Sequence, residues 1–275
     1  MLPTPSTSHV DYNRIYEPAE DSFLFLDTIS SPSETSFLTS RFQSGPTPLV
    51  VEVGTGSGVV IGFVAAQARH VFGGDHGAVV AVGVDVNAFA CAATAETVKR
   101  ALQEEQEGEK EQSAGGGGGS SSSSSAGPAG LYLGSVRADL GSALRPGQVD
   151  VLLFNPPYVP TPEMPGRDVE AELQKGGGDD FARDSYLLEL SYAGGRDGME
   201  TTDRLIDALP ELLSDKGCAY ILLCAQNKPE DVKRRILGFG DEWRVHMAGS
   251  SGKQAGWEKL QIIRIWREQD TDDVR

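Results

Sequence analysis

The apolar positions of this chain fall into short clusters, and their spacing switches back and forth between two periods. LVVEVG (49–54), AVVAVGV (78–84), LYLGSVRA (131–138), VDVLLF (149–154) and CAYILLCA (218–225) have the length and β-branched content of strands. The densest of them are apolar at nearly every position, as strands buried on both faces are. Between them lie helical stretches: 57–72, ended by Gly73-Gly74, the alanine-rich 87–102, ETTDRLIDALPELL (200–213) with a proline flaw, and PEDVKRRILG (229–238). Pro229 stands where a first helical turn tolerates proline. WRVHM (243–247) and EKLQIIRIW (258–266) follow as two strands joined by a short Gly/Ser connection with no helix. Strands alternating with helices predict an α/β fold, a doubly wound, mostly parallel sheet covered on both faces, with an antiparallel C-terminal strand.

One segment breaks the pattern. QEEQEGEKEQSAGGGGGSSSSSSAGPAG (103–130) has almost no apolar surface to bury, which predicts a disordered insertion. The segments on either side belong to one alternating series, so residues 1–275 are expected to form a single domain. Flexible ends are expected at 1–14 and 268–275.

Composition narrows the possibilities further. Of 275 residues, 39% are hydrophobic, enough for one good core, and no run of 18 apolar residues offers a transmembrane helix. The first fifteen residues lack the basic start and apolar stretch of a secretion signal. Cys91, Cys218 and Cys224 have no metal-ligand or disulfide-framework spacing and read as reduced thiols of an intracellular protein, cytoplasmic or nuclear. The net charge is −16, from 40 acidic and 24 basic residues. Such a surface repels a phosphate backbone and favours a basic protein partner.

In sheets of this kind ligands bind beyond the carboxyl ends of the strands, where strand order reverses. Four strand ends carry suggestive groups. Glu52-Val-Gly54-Thr-Gly56-Ser-Gly58 follows the first; its glycines let backbone amides approach a ligand at a helix N-terminus, although a simple tight turn reads the same way. Asp85 ends the second strand, placed either for ribose hydroxyls or to cap the next helix, and Asp139 follows the third with a similar choice between an exocyclic amine and a cap. The fourth strand runs into Asn155-Pro156-Pro157-Tyr158. There two residues without N–H groups make a stiff arm rich in hydrogen-bond acceptors.

Together these residues resemble the class I S-adenosylmethionine-dependent methyltransferases of the [ND]PP[YFW] branch, which methylate exocyclic or amide nitrogens. Tyr16-Glu-Pro-Ala-Glu-Asp-Ser22 and the AGGRDG stretch beginning at Ala193 resemble, within that branch, the eukaryotic and archaeal HemK-like glutamine methyltransferases. The likeness runs from Tyr16 to about Trp266. It implies a seven-stranded sheet, with Glu52, Gly54, Gly56 and Gly58 at the methionine part of S-adenosylmethionine, Asp85 at the ribose, and Asp139 with Leu140 at the adenine. Ser22 belongs to a segment that closes over the cofactor. Asn155, also a cofactor neighbour, and the Pro156 carbonyl would hold the substrate amide, Pro157 would stiffen the arm, and Tyr158 would pack on the substrate's flat face. The implied substrate is the Gly-Gly-Gln loop of the eukaryotic class I peptide-chain release factor. The implied partner is a small zinc-binding activator subunit, added at the edge strand 131–138. Tyr192 departs from the family's usual Trp, and 159–191 is longer than usual.

Other readings of the same residues are a DNA or RNA amino-methyltransferase, a lysine methyltransferase acting on a basic protein, and a non-catalytic cofactor-binding scaffold. A basic stripe would favour the first, and none stands in the sequence. Loss of the ribose carboxylate or of Asn155 would favour the last, and both residues are present.

Overall fold

The computed structural model describes residues 2–73, 77–115, 130–165, 180–252 and 259–268. Seven strands, β1 (Leu49–Val53), β2 (Val79–Asp85), β3 (Gly130–Arg137), β4 (Val149–Phe154), β5 (Leu213–Leu223), β6 (Trp243–Ser250) and β7 (Gln261–Arg267), form one sheet in the order β3-β2-β1-β4-β5-β7-β6. The β3-β2-β1-β4-β5 pairings are parallel, while β7 lies antiparallel between β5 and β6. This is the α/β class expected from the alternating pattern. The Gly/Ser-linked pair forms the antiparallel tail, with β7 threaded inward rather than added at the rim.

Side chains of each central strand alternate between two cores, as the pleat requires. In β4, Val151 and Leu153 join a cluster with Phe25, Leu38, Phe63 and Tyr220. Leu152 and Phe154 join another with Leu205, Ile206, Leu209 and Ile236. The first core is covered by α1 (Glu20–Ile29), α2 (Pro32–Phe42), α3 (Val59–Ala66) and α4 (Ala68–Phe72). The long α5 (Ala88–Gly115) packs beside α3 and β3. The second core is covered by α7 (Glu200–Leu212) and α8 (Pro229–Leu237), while α6 (Asp180–Tyr192) precedes α7 in the chain.

Three expectations need correction. Helix α5 does not stop at residue 102 but runs on to Gly115, so the segment 103–130 begins as helix. Glu and Gln are good helix formers, and the extension is tied down where Gln67 Nε2 donates to Glu105 Oε2 at 2.8 Å and Arg69 pairs with Glu109. Residues 116–129 lie outside the described residues.

The N-terminal segment expected to be flexible instead packs on α5. Val10 and Ile15 bury against Ala90, and His9 Nε2 lies 3.2 Å from the Ala93 carbonyl oxygen. At the other end, Glu268 N–H donates to the Glu242 carbonyl at 2.8 Å, and 269–275 fall outside the described residues. The predicted helix 57–72 is two helices, α3 and α4, because Gln67 leaves helical geometry (φ −97°, ψ 23°). Of the long segment 159–191, α6 is described from Asp180, and 166–179 lie outside the described residues.

Candidate active site

Register brings the site together. Val53 of β1 lies opposite Val84 of β2 on one side and Phe154 of β4 on the other, so three strand ends are level. The order reverses between β1 and β4, and a cavity of about 760 Å³ opens there. All twelve residues singled out in the sequence lie at this reversal. Eleven line the cavity: Ser22, Glu52, Gly54, Gly56, Asp85, Asp139, Leu140, Asn155, Pro156, Pro157 and Tyr158. Gly58 instead ends the loop beneath it as the N-cap of α3.

The loop after β1 turns on left-handed backbone at Gly54, Gly56 and Gly58 (φ +68°, +52° and +78°). Gly58 is needed for space as well, since a Cβ there would stand 2.6 Å from the Thr94 Cα. Glu52 reaches from the strand to the start of α3, where its Oε2 accepts the Ile61 N–H at 3.0 Å, one of the donors a helix N-terminus leaves free. Burial pushes this carboxyl well above the ordinary carboxylate range, and the nearby Asp85 charge adds to the rise.

Asp85 links two loops. Its Oδ2 accepts the Gly56 N–H at 3.0 Å and its Oδ1 the Asn87 N–H at 2.8 Å. Burial raises this carboxyl too, against the lowering pull of the Asn87 and Gly56 amides. Capping of α5 falls to Asn87, whose Oδ1 accepts the Phe89 N–H at 2.9 Å while its Nδ2 donates to the Arg14 carbonyl at 2.8 Å. Asp139 is half exposed and ion-paired, its Oδ2 2.6 Å from Arg204 of α7. Leu140 beside it adopts φ +50°.

Asn155 is the distinctive group. Its side-chain oxygen is buried and accepts no hydrogen bond among the described residues. A buried acceptor left unpaired is costly, and such groups mark places where a ligand completes the bonding. The arm beyond it is braced on the AGGRDG stretch. Val159 N–H donates to the Tyr192 carbonyl at 3.0 Å, Gly194 N–H to the Val159 carbonyl at 2.8 Å, and Thr161 N–H to the Gly195 carbonyl at 3.0 Å. A Cβ at Gly194 would stand 2.5 Å from the Pro157 carbonyl oxygen, and one at Gly198 would overlap that of Tyr158. Those glycines let two backbones touch. Tyr158 packs partly against the first core, with its hydroxyl 3.5 Å from Asp21 Oδ2.

Sequence reasoning missed Arg14, Asn87, Arg204 and Asn227. Arg14 and Arg204 act across long chain separations that no local pattern reveals, and so does the Asn87 bond to the Arg14 carbonyl, whereas the Asn87 cap of α5 is local. Asn227 had a usable signal: a polar residue just beyond the fifth strand, β5, an end not inspected in the sequence.

No protein-family model matches the sequence. The chain is 29% identical over 274 residues to the mouse protein named Methyltransferase HEMK2, covering 96% of each chain. It is 26% identical over 273 residues to the fission yeast eRF1 methyltransferase catalytic subunit mtq2, covering 97% of this chain and 96% of that one. It is 26% identical over 253 residues to a putative protein N5-glutamine methyltransferase of Methanocaldococcus jannaschii, covering 92% of both. Among solved structures it resembles the E. cuniculi Mtq2–Trm112 complex, which methylates the eRF1 termination factor. The TM-score there is 0.50 at 21% identity, over 93% of this chain and 99% of that one. This last likeness bears on the fold.

Proposed function

We infer that this HemK-like class I methyltransferase places a methyl group on the side-chain amide nitrogen of the glutamine in a release factor's Gly-Gly-Gln loop. The relatives named for eRF1 and for glutamine N5 support that substrate. The observation that carries the chemistry is the buried Asn155 Oδ1, without a hydrogen-bond partner among the described residues, at the mouth of an acceptor-rich arm.

The cavity suits S-adenosylmethionine. Buried Glu52 and Asp85 supply acceptors, and the left-handed glycines keep the loop backbone close. When bound, that cofactor supplies an electrophilic methyl group. The chain's own part is to make a poor nucleophile attack. An amide nitrogen's lone pair is delocalised into its carbonyl. Asn155 Oδ1 and the Pro156 carbonyl each accept one of its two N–H groups, holding the lone pair toward the donor. Positioning of this kind, with preorganised acceptors, is a large part of enzymatic rate enhancement. The nitrogen grows acidic as it is alkylated, so its proton leaves without a strong base. A lysine ammonium would have to shed a proton first, and two neutral carbonyl oxygens take none.

Among the described residues strand β3 stands at one edge of the sheet, beside β2, and Leu131 and Leu133 are 58% and 65% exposed on it. We assign this edge to the activator subunit, which would extend the sheet by strand addition. An enzyme acting on a translation factor fits a cytoplasmic or nuclear location, which is part of the same reading.

The test uses the complex of enzyme and activator with labelled cofactor and purified release factor, parental or with the loop glutamine changed to alanine. Label is expected on the parental factor alone. Asn155→Ala should lower turnover by about a hundred-fold or more while cofactor affinity stays within a few-fold. Near-parental turnover in Asn155→Ala would remove the arm from the mechanism.

A further inference from the structure

The turn that follows β5 holds a buried side chain that the transfer chemistry does not touch. Asn227, 2% exposed, ends the 3-10 turn Ala225–Asn227. Its Oδ1 accepts the Cys224 N–H at 2.7 Å, which fixes the orientation of the amide and turns its Nδ2 end toward carbonyls. Three lie in reach: Asp197 at 2.9 Å, Tyr158 at 3.1 Å and Gly198 at 3.3 Å. One side chain thus clamps the backbone of the substrate arm to the backbone of the AGGRDG turn.

The surroundings carry strain on both sides of this clamp. Asp197 (φ +55°) and Lys228 (φ +52°) are non-glycine residues in the left-handed region, and their side chains pair at 2.9 Å. Such conformations persist only where neighbouring contacts over-determine them. Pro156 and Pro157 leave little torsional slack between Tyr158 and Asn155. A displacement of the Tyr158 carbonyl therefore travels to the acceptors nearly undiminished.

We propose that Asn227 is a positioning residue for methyl transfer, the pin that sets where Asn155 Oδ1 and the Pro156 carbonyl stand. This rests on the assignment of those acceptors above. Replacement by aspartate keeps an acceptor for Cys224 N–H but sets an oxygen against three carbonyl oxygens. Replacement by serine removes the donations without adding charge.

The experiment compares parental enzyme, Asn227→Asp and Asn227→Ser, each as the complex with its activator, by turnover, cofactor calorimetry and amide hydrogen exchange. Asn227→Asp should lower kcat on the Gly-Gly-Gln substrate about ten- to a hundred-fold, with cofactor Kd within a few-fold. The Val159 and Gly194 amides should exchange about tenfold faster or more, because their bonds lie in the clamped region. Asn227→Ser should fall between parent and Asn227→Asp. A lower melting temperature with parental kcat per cofactor-binding site would overturn the proposal, leaving Asn227 as packing only. If the parental complex does not methylate the release factor, the inferred substrate fails. Exchange at Val159 and Gly194 then decides the pin, and unchanged rates overturn it. Should Asn227→Asp not fold, Asn227→Ser is read in its place, and failure of both to fold also overturns the assignment.

Discussion

Glu52 and Asp85 show what the site costs at the scale of single residues. Both carboxyls are raised by burial, so the folded chain holds their protons more tightly than the unfolded chain does. Their contribution to stability is full below the ordinary carboxylate range and is lost as pH rises toward the raised folded values. The cofactor-free protein should therefore lose melting temperature as pH rises above the ordinary carboxylate range, and Glu52→Gln, which keeps an acceptor for the Ile61 N–H, should flatten that loss. An unchanged slope in Glu52→Gln would mean the carboxyl is not its source. Asp85→Ala should weaken cofactor binding by about 1.5–3 kcal/mol, the worth of hydrogen bonds to a charged group. Calorimetry showing parental affinity in a folded variant would take Asp85 out of the ribose site. These two, with Asp139 and Asn155, were legible because topology directs attention to strand ends and each end carries a group with suitable chemistry. Arg204 was not, because its meaning lies in Asp139, 65 positions away in the chain.

Among whole elements, strands were easier to see than helices. Val151–Phe154 and Cys218–Leu223 announce themselves by unbroken apolar runs, which the two cores require, whereas the start of β5 at Leu213, through the polar Ser214–Lys216, is not visible in that pattern. Helix α2, PSETSFLTSRF, has a weak apolar stripe and was not predicted; it is held from outside. Its buried Glu34 pairs with Arg264 of β7 at 2.5 Å and accepts the Tyr220 hydroxyl at 2.8 Å. Helix α5 shows the opposite error, where low apolar content masked good helix propensity. Removing 104–129 should therefore cost more than removing 116–129 alone. Links such as Gln67–Glu105 and Arg69–Glu109 contribute a few tenths of a kcal/mol each, about 1–2 °C in Tm together. Equal melting temperatures would show that the helical extension carries no load. On the sheet edge, a bulge between Ala81 and Val82 brings Leu131 and Val136 to the same face of β3 despite their odd separation. Leu133→Lys should leave the melting temperature of the isolated enzyme nearly unchanged, improve its solubility, and abolish co-purification of the activator. Retention of the activator would move its docking site off β3.

For the molecule as a whole, cofactor and stability are linked by mass action. The loops of β1 and β2 meet through the Gly56–Asp85 bond, and the N-terminal segment joins them through Asn87. A ligand seated among them binds only the folded chain. At a hundred times its Kd it should add about 2.7 kcal/mol, or roughly 5–10 °C in Tm. A shift below about a degree at that saturation would mean the cavity is not the cofactor site. The position of β7 has a further consequence, for synthesis. Strand β7 comes after β6 in the chain yet sits between β5 and β6, with Ile262, Ile263 and Ile265 fully buried. A nascent chain that has made everything through Ser250 still lacks the strand that joins β6 to the sheet. Until Arg267 clears the ribosome, β5 presents an open apolar edge, the kind of surface that chaperones bind and that pairs with other chains. Ribosomes that stall or terminate after α8 would release a chain with its cofactor loops written but its sheet unclosed. Such products should be degraded or aggregate rather than accumulate as partly active enzyme.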